Sequence, residues 1–170
     1  MGFRAFFFVL LAALACAGTK GAQAGERQSL SWARIFDNDA IGDTHDRWRT
    51  GAYQVSNFRG PAWAGTAPSG FGRLIELRFR GEIIAPDNLV APAPTDRRHA
   101  GVLSFGLHTY MHRGAWDMNV GADLVVVGPQ TGLRSFQERF HKLVGADPMN
   151  VAGFEIANGT YPTFTAEASR

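Results

Sequence analysis

At 170 residues, with 17 lysines and arginines against 15 acidic residues, the chain has room for one domain and carries little net charge. An N-terminal leader would remove Arg4 and Lys20 and no acid, so the pI near 9.0 belongs to that leader and gives no motive for a nucleic-acid partner. The single cysteine, Cys16, would leave with it, so neither a disulfide framework nor a cysteine nucleophile is expected in the remainder.

The leader reads as a secretory signal over residues 1–24. Arg4 precedes an apolar run over residues 5–17, and Ala22-Gln23-Ala24 supplies a small-x-small cleavage site. The run is short for a membrane-spanning helix, which needs about 20 residues. Residues 25–170 then form the domain proper.

Beyond the leader, several segments alternate apolar and polar residues with period two over about ten residues. Residues 30–36 and 47–58 are the first and weaker cases. Residues 73–84 are the clearest: Ile75, Leu77, Phe79 and Ile83 share one face, and Glu76, Arg78, Arg80 and Glu82 share the other. Residues 101–112 set Leu103, Phe105, Leu107 and Met111 opposite Ser104, Gly106, His108 and His112. A tight hairpin at His112-Arg113-Gly114 leads into residues 115–127, where Trp116, Met118, Val120, Leu124 and Val126 alternate with Asp117, Asn119, Gly121 and Asp123. Residues 163–168 begin a sixth strand. A soluble β-sandwich alternates in the same way. Strand length favours a transmembrane barrel instead, because globular strands usually run about 5–6 residues. The expected fold class is therefore all-β, an antiparallel barrel whose polar face lines the lumen.

Residues 135–144 break this pattern and read as one short helix. Ser135-Phe136-Gln137-Glu138 fits a capping box, Gly145 a C-terminal stop, and Phe136, Phe140 and Leu143 form an apolar stripe. Gln137 and His141, four residues apart, share a neighbouring face. A histidine held on a helix, with a glutamine one turn earlier to orient it, suits a general base; a solvated surface histidine is the plainer alternative.

Asp37, Asn38 and Asp39 close the first strand, with Asp43 and Asp46 shortly after. Such oxygen donors suit a hard cation, although they are also ordinary turn residues. No Gly-x-Ser-x-Gly elbow is present, and His108 and His112 lie two pleats apart on a strand without further zinc ligands.

These pieces together resemble the LpxR-type lipid A 3′-O-deacylases of Gram-negative outer membranes. The resemblance runs over residues 30–150, through Asn38-Asp39, Asp46-Arg47-Trp48-Arg49-Thr50-Gly51, Ala85-Pro86, Asp96-Arg97-Arg98-His99-Ala100-Gly101 and Gly128-Pro129. It closes on a Q-x-x-x-H-x-x-x-G pattern formed by Gln137, His141 and Gly145.

The resemblance implies a barrel of twelve strands, about half of them present here, with the active site between the barrel wall and a loop helix. It implies hydrolysis of the ester that holds the 3′-acyloxyacyl chain on lipid A, part of lipopolysaccharide, with a divalent cation, calcium. His141 would activate water with Gln137 beside it, Asn38 and Thr50 would hold the oxyanion, and Asp39, with Asp147, would sit at the cation. Two positions depart from the family pattern: Arg49 stands where tyrosine is usual, and residues 87–90 lack a lysine. Five strands and the start of a sixth make a barrel expected to be incomplete at its C-terminus. The competing expectations are a non-catalytic or truncated barrel of this family, and a soluble periplasmic β-protein that binds a ligand.

Overall fold

A computed structural model describes residues 27–38 and 48–170. The expected leader over residues 1–24, and Asp39, Asp43 and Asp46, lie outside the described residues. Six strands, β1 (Gln28–Asp37), β2 (Trp48–Gly60), β3 (Leu74–Ala85), β4 (Ala100–Arg113), β5 (Trp116–Val127) and β6 (Gly159–Ser169), form one antiparallel sheet in chain order. Their lengths of 10 to 14 residues suit strands that cross a bilayer at a tilt, for which about 9–11 residues are needed. Among the described residues no helix is long and apolar enough to cross a membrane, and a barrel crosses with strands.

The register sorts the alternating residues of every strand onto two continuous faces. Phe79 lies opposite Phe105, which lies opposite Leu124, which lies opposite Pro162. The Phe79 and Phe105 rings sit 5.2 Å apart between centroids. Along this face Trp32 (64%), Phe36 (63%), Phe105 (51%) and Phe164 (81%) remain largely exposed. A soluble sandwich would bury such a face against a second sheet; an outer-membrane strand turns it to lipid.

On the other face Glu76 lies opposite His108 and Arg78 opposite Gly106, which in turn faces Asp123. Glu76 is only 2% exposed and accepts two bonds from the Arg78 guanidinium, at 2.9 and 2.8 Å, plus one from the Tyr110 hydroxyl. His108 Nε2 bonds Asp123 Oδ2 at 2.9 Å, and the Ser104 hydroxyl donates to Asp123 Oδ1 at 3.1 Å. The His108 ring occupies the space beside Gly121, where a Cβ would come within 2.0 Å of its Nδ1. Glycine is thus a packing requirement at that point, and the polar face carries two hydrogen-bonded clusters side by side.

β1 and β6 are the two edges of the sheet, which does not close on itself among the described residues. The β4–β5 hairpin turns on two residues, Gly114 and Ala115, slightly later than the spacing suggests, because Arg113 still pairs with Trp116. At the opposite end of the strands lie the β3–β4 and β5–β6 connections. There a 3-10 turn (Pro129–Thr131) leads into the helix α1 (Leu133–Val144).

The cap of α1 differs from expectation. Its N-cap is Gly132, at φ 72°, and Ser135 lies inside the first turn with no capping role. Thr131 Oγ1 instead accepts the Leu133 N–H at 3.3 Å, and Glu138 is drawn sideways to Arg134 in an i,i+4 pair. The C-terminal stop at Gly145 is as expected, with its N–H on the His141 carbonyl.

Candidate active site at the rim

Helix α1 reaches the sheet through a glycine. Gly101 belongs to the apolar row of β4, opposite Ile83, and a Cβ there would fall 2.9 Å from Leu133 Cβ and 2.3 Å from Thr131 Oγ1. Because that Cβ is missing, the helix start lies directly on the apolar side of the wall. The segment after α1 then returns beneath it. Asn150 N–H donates to the Leu89 carbonyl at 2.8 Å, and Ala85, Leu89 and Val151 form a small buried core with Met149 packed on it.

The sequence-derived site residues fall into two pairs on this rim. In the first, Asn38, one residue beyond the end of β1, donates from Nδ2 to the Thr50 carbonyl at 2.7 Å. Thr50 is the extra residue of a bulge, since Arg49 pairs with Ile84 while Gly51 pairs with Ile83. A bulge re-aims a side chain and bends the strand, and here it leaves Thr50 only 4% exposed. Arg49, the departure from the family's tyrosine, pairs with Glu82 and reaches Asp37 at 3.8 Å.

The second pair is on α1, where Gln137 and His141 are its buried residues. His141 Nδ1 lies 3.1 Å from the Asp147 main-chain carbonyl. A carbonyl can only accept, so Nδ1 carries the proton and the neutral ring keeps its lone pair on Nε2, the arrangement a general base needs. The main chain at Asp147 therefore orients the ring, while the Asp147 side chain is exposed. Gln137 is engaged elsewhere: its Oε1 accepts from His99 Nε2 at 3.0 Å.

His99 belongs to the Asp96-Arg97-Arg98-His99-Ala100-Gly101 block, where spacing alone gives it no role. It is fully buried, and main-chain bonds pin it to the returning segment: its N–H donates to Phe154 and its carbonyl accepts from Ile156. On its far side Nδ1 lies 3.6 Å from Glu155 Oε1, and both atoms are buried without a hydrogen-bond partner. Glu155 Oε2 accepts from Arg134 Nε at 2.8 Å. The bond to Glu138, then the charge of Glu155, raise the Arg134 guanidinium above its ordinary pKa, so it stays cationic. A chain Arg134–Glu155–His99–Gln137 thus backs the helix face that carries His141.

The two pairs lie at the same end of the sheet because Trp48 opens β2 opposite Ala85, where β3 ends, and Ala100 opens β4 opposite Ile84. The Arg97 guanidinium sits 5.9 Å over the Trp48 ring, tying the β3–β4 loop to the start of β2. Among the described residues no group of three or more histidine, cysteine or acidic side chains could hold a metal ion. Of the two acids expected at the cation, Asp39 lies outside them and Asp147 is exposed. Asn38 fits a hard cation in kind: its amide nitrogen is committed to Thr50, and the carbonyl oxygen on the same group points away from that bond.

Long amphipathic strands with one lipid-suited face, a charged inner face and a polar site under a rim helix define an outer-membrane strand protein. A family model described as "Outer membrane protein LpxR" matches residues 5–151. The chain belongs to this family and is an outer membrane protein. Searches among curated proteins and among solved structures returned no match.

Proposed function

We propose that the protein is an outer-membrane ester hydrolase that removes the 3′-acyloxyacyl chain of lipid A, with His141 as general base. The observation that carries this reading is the Nδ1 bond of His141 to the Asp147 carbonyl at 3.1 Å, on a helix seated against the lipid-suited face of the wall. A base there stands beside the acyl chains of a membrane substrate.

In the proposed reaction Nε2 of His141 takes a proton from water as its oxygen bonds to the ester carbonyl carbon. The tetrahedral adduct then breaks its bond to the 3′ oxygen, which receives the proton back from His141. The products are a free acyloxyacyl acid and a 3′-hydroxyl. Asn38 and Thr50 hold the carbonyl oxygen as it gains charge, Asn38 through the second N–H of its amide. Asp39 and Asp147 are the residues that would hold the cation, and the Asn38 carbonyl oxygen suits it in kind. A bound calcium ion supplies Lewis-acid stabilisation of the same oxygen.

His99 acts as a positioning residue by fixing the Gln137 amide next to the base. His99→Ala is expected to lower kcat about tenfold, the value of roughly one hydrogen bond, with partial recovery in His99→Gln, which keeps a donor. Steady-state kinetics of the three folded proteins checks this. The cation is tested with purified protein folded in detergent and given lipid A. Release of the 3′-linked acid should stop with a chelator and return with calcium; release unchanged by chelation contradicts the cation role.

A further inference from the structure

Helix α1 has three distinct faces, and only one touches the protein wall. At 3.6 residues per turn, Phe136, Phe140 and Leu143 fall within about 60° of arc. They lie roughly 110° from the wall-facing pair Gln137 and His141. Ser135, Glu138, Arg139 and Lys142 occupy the other flank. The apolar flank is uncovered, with Phe136 60%, Phe140 50% and Leu143 83% exposed.

For a free helix this stripe would have no defined occupant. Here the helix is docked through Gly101 on the apolar row of β4, the row that continues through Leu103, Phe105 and Leu107. One flank of a helix lying along that wall faces the bilayer and the other faces water. We propose that α1 is an interfacial membrane anchor: Phe136, Phe140 and Leu143 extend the lipid-facing belt into the acyl-headgroup boundary of the outer leaflet, while Lys142 and Arg139 stay in water. This is the pattern of helices that lie in a membrane surface, apolar on one side and basic on the other. The site beneath the helix is thereby held at the depth where ester bonds of lipids begin. The inference rests on outer-membrane placement and holds whether or not the protein is a deacylase.

The test uses the full chain carrying Cys16→Ser, so that an added cysteine is unique, with Leu143→Cys or Lys142→Cys labelled by an environment-sensitive fluorophore. Both positions are exposed, so neither change disturbs packing. Each protein is folded into phosphatidylcholine vesicles with ordinary or brominated acyl chains. Brominated chains are expected to quench the Leu143 label about twofold and leave the Lys142 label nearly unchanged. A Phe105→Cys label on the belt gives the reference. Quenching at Phe105 with none at Leu143, or equal quenching at Leu143 and Lys142, overturns the proposal.

Discussion

Replacing His141 with alanine is expected to lower lipid A deacylation about 10²–10⁴-fold, the usual contribution of a positioned general base. The fold should survive. His141 lies at the C-terminal end of α1, and the helix retains its Gly145 stop, whose N–H bonds the main-chain carbonyl of residue 141 rather than its ring. His141→Asn sharpens the test, because an amide can still donate to the Asp147 carbonyl but cannot accept a proton from water. Equal losses in the two variants, with KM little changed, would assign the effect to proton transfer. Activity retained in His141→Asn would assign it to the bond with Asp147.

The largest expected effect on stability lies inside the sheet. Glu76→Ala leaves the Arg78 guanidinium and the Tyr110 hydroxyl without the carboxylate that both bond. Removing one partner of a buried ion pair costs about 3–5 kcal/mol, and the lower end applies because Arg78 keeps 26% of its side chain exposed. Glu76→Gln keeps an acceptor for Tyr110 or Arg78 and should lose less. Urea unfolding of protein folded in detergent, followed by tryptophan emission, measures the difference. Equal stability of Glu76→Ala and the parent chain would mean that water in the barrel interior already solvates Arg78.

The strands were legible because their signal is local. Residues 73–84 alternate without interruption, and β3 proves to be Leu74–Ala85. The sixth strand starts four residues earlier than the pattern indicates, at Gly159, since Pro162 within it argues against a strand. Proline is tolerated there because β6 is an edge of this sheet. The helix was legible from its apolar stripe, but its cap was not. A serine-to-glutamate spacing fits a capping box wherever it falls, and Gly132 with Thr131 had already ended the preceding turn.

The site was half legible. Gln137 and His141 lie one helical turn apart, so spacing alone pairs them. Asn38 and Thr50 meet because β1 and β2 are adjacent antiparallel strands, which the sequence implies without giving the bulge that turns Thr50 inward. The His99–Gln137 bond joins residues 38 positions apart across a whole hairpin, and Glu155 reaches His99 from beyond the helix. No periodicity carries that information. It arises only when the returning segment is pinned beside the start of β4.

The open edges of β1 and β6 bear on how the protein works in a membrane. An unsatisfied backbone group in lipid costs several kcal/mol, and among the described residues these two edges are where such groups lie.

Mass spectrometry of lipid A from cells expressing the chain, alone and with any sequence that follows it in its gene, tests the central claim most directly. Loss of one 3′-linked acyloxyacyl group, abolished by His141→Ala in the same background, is the result expected. Lipid A unchanged by either form, with the protein folded in the outer membrane, would contradict the deacylase reading and leave a barrel of this family without that activity.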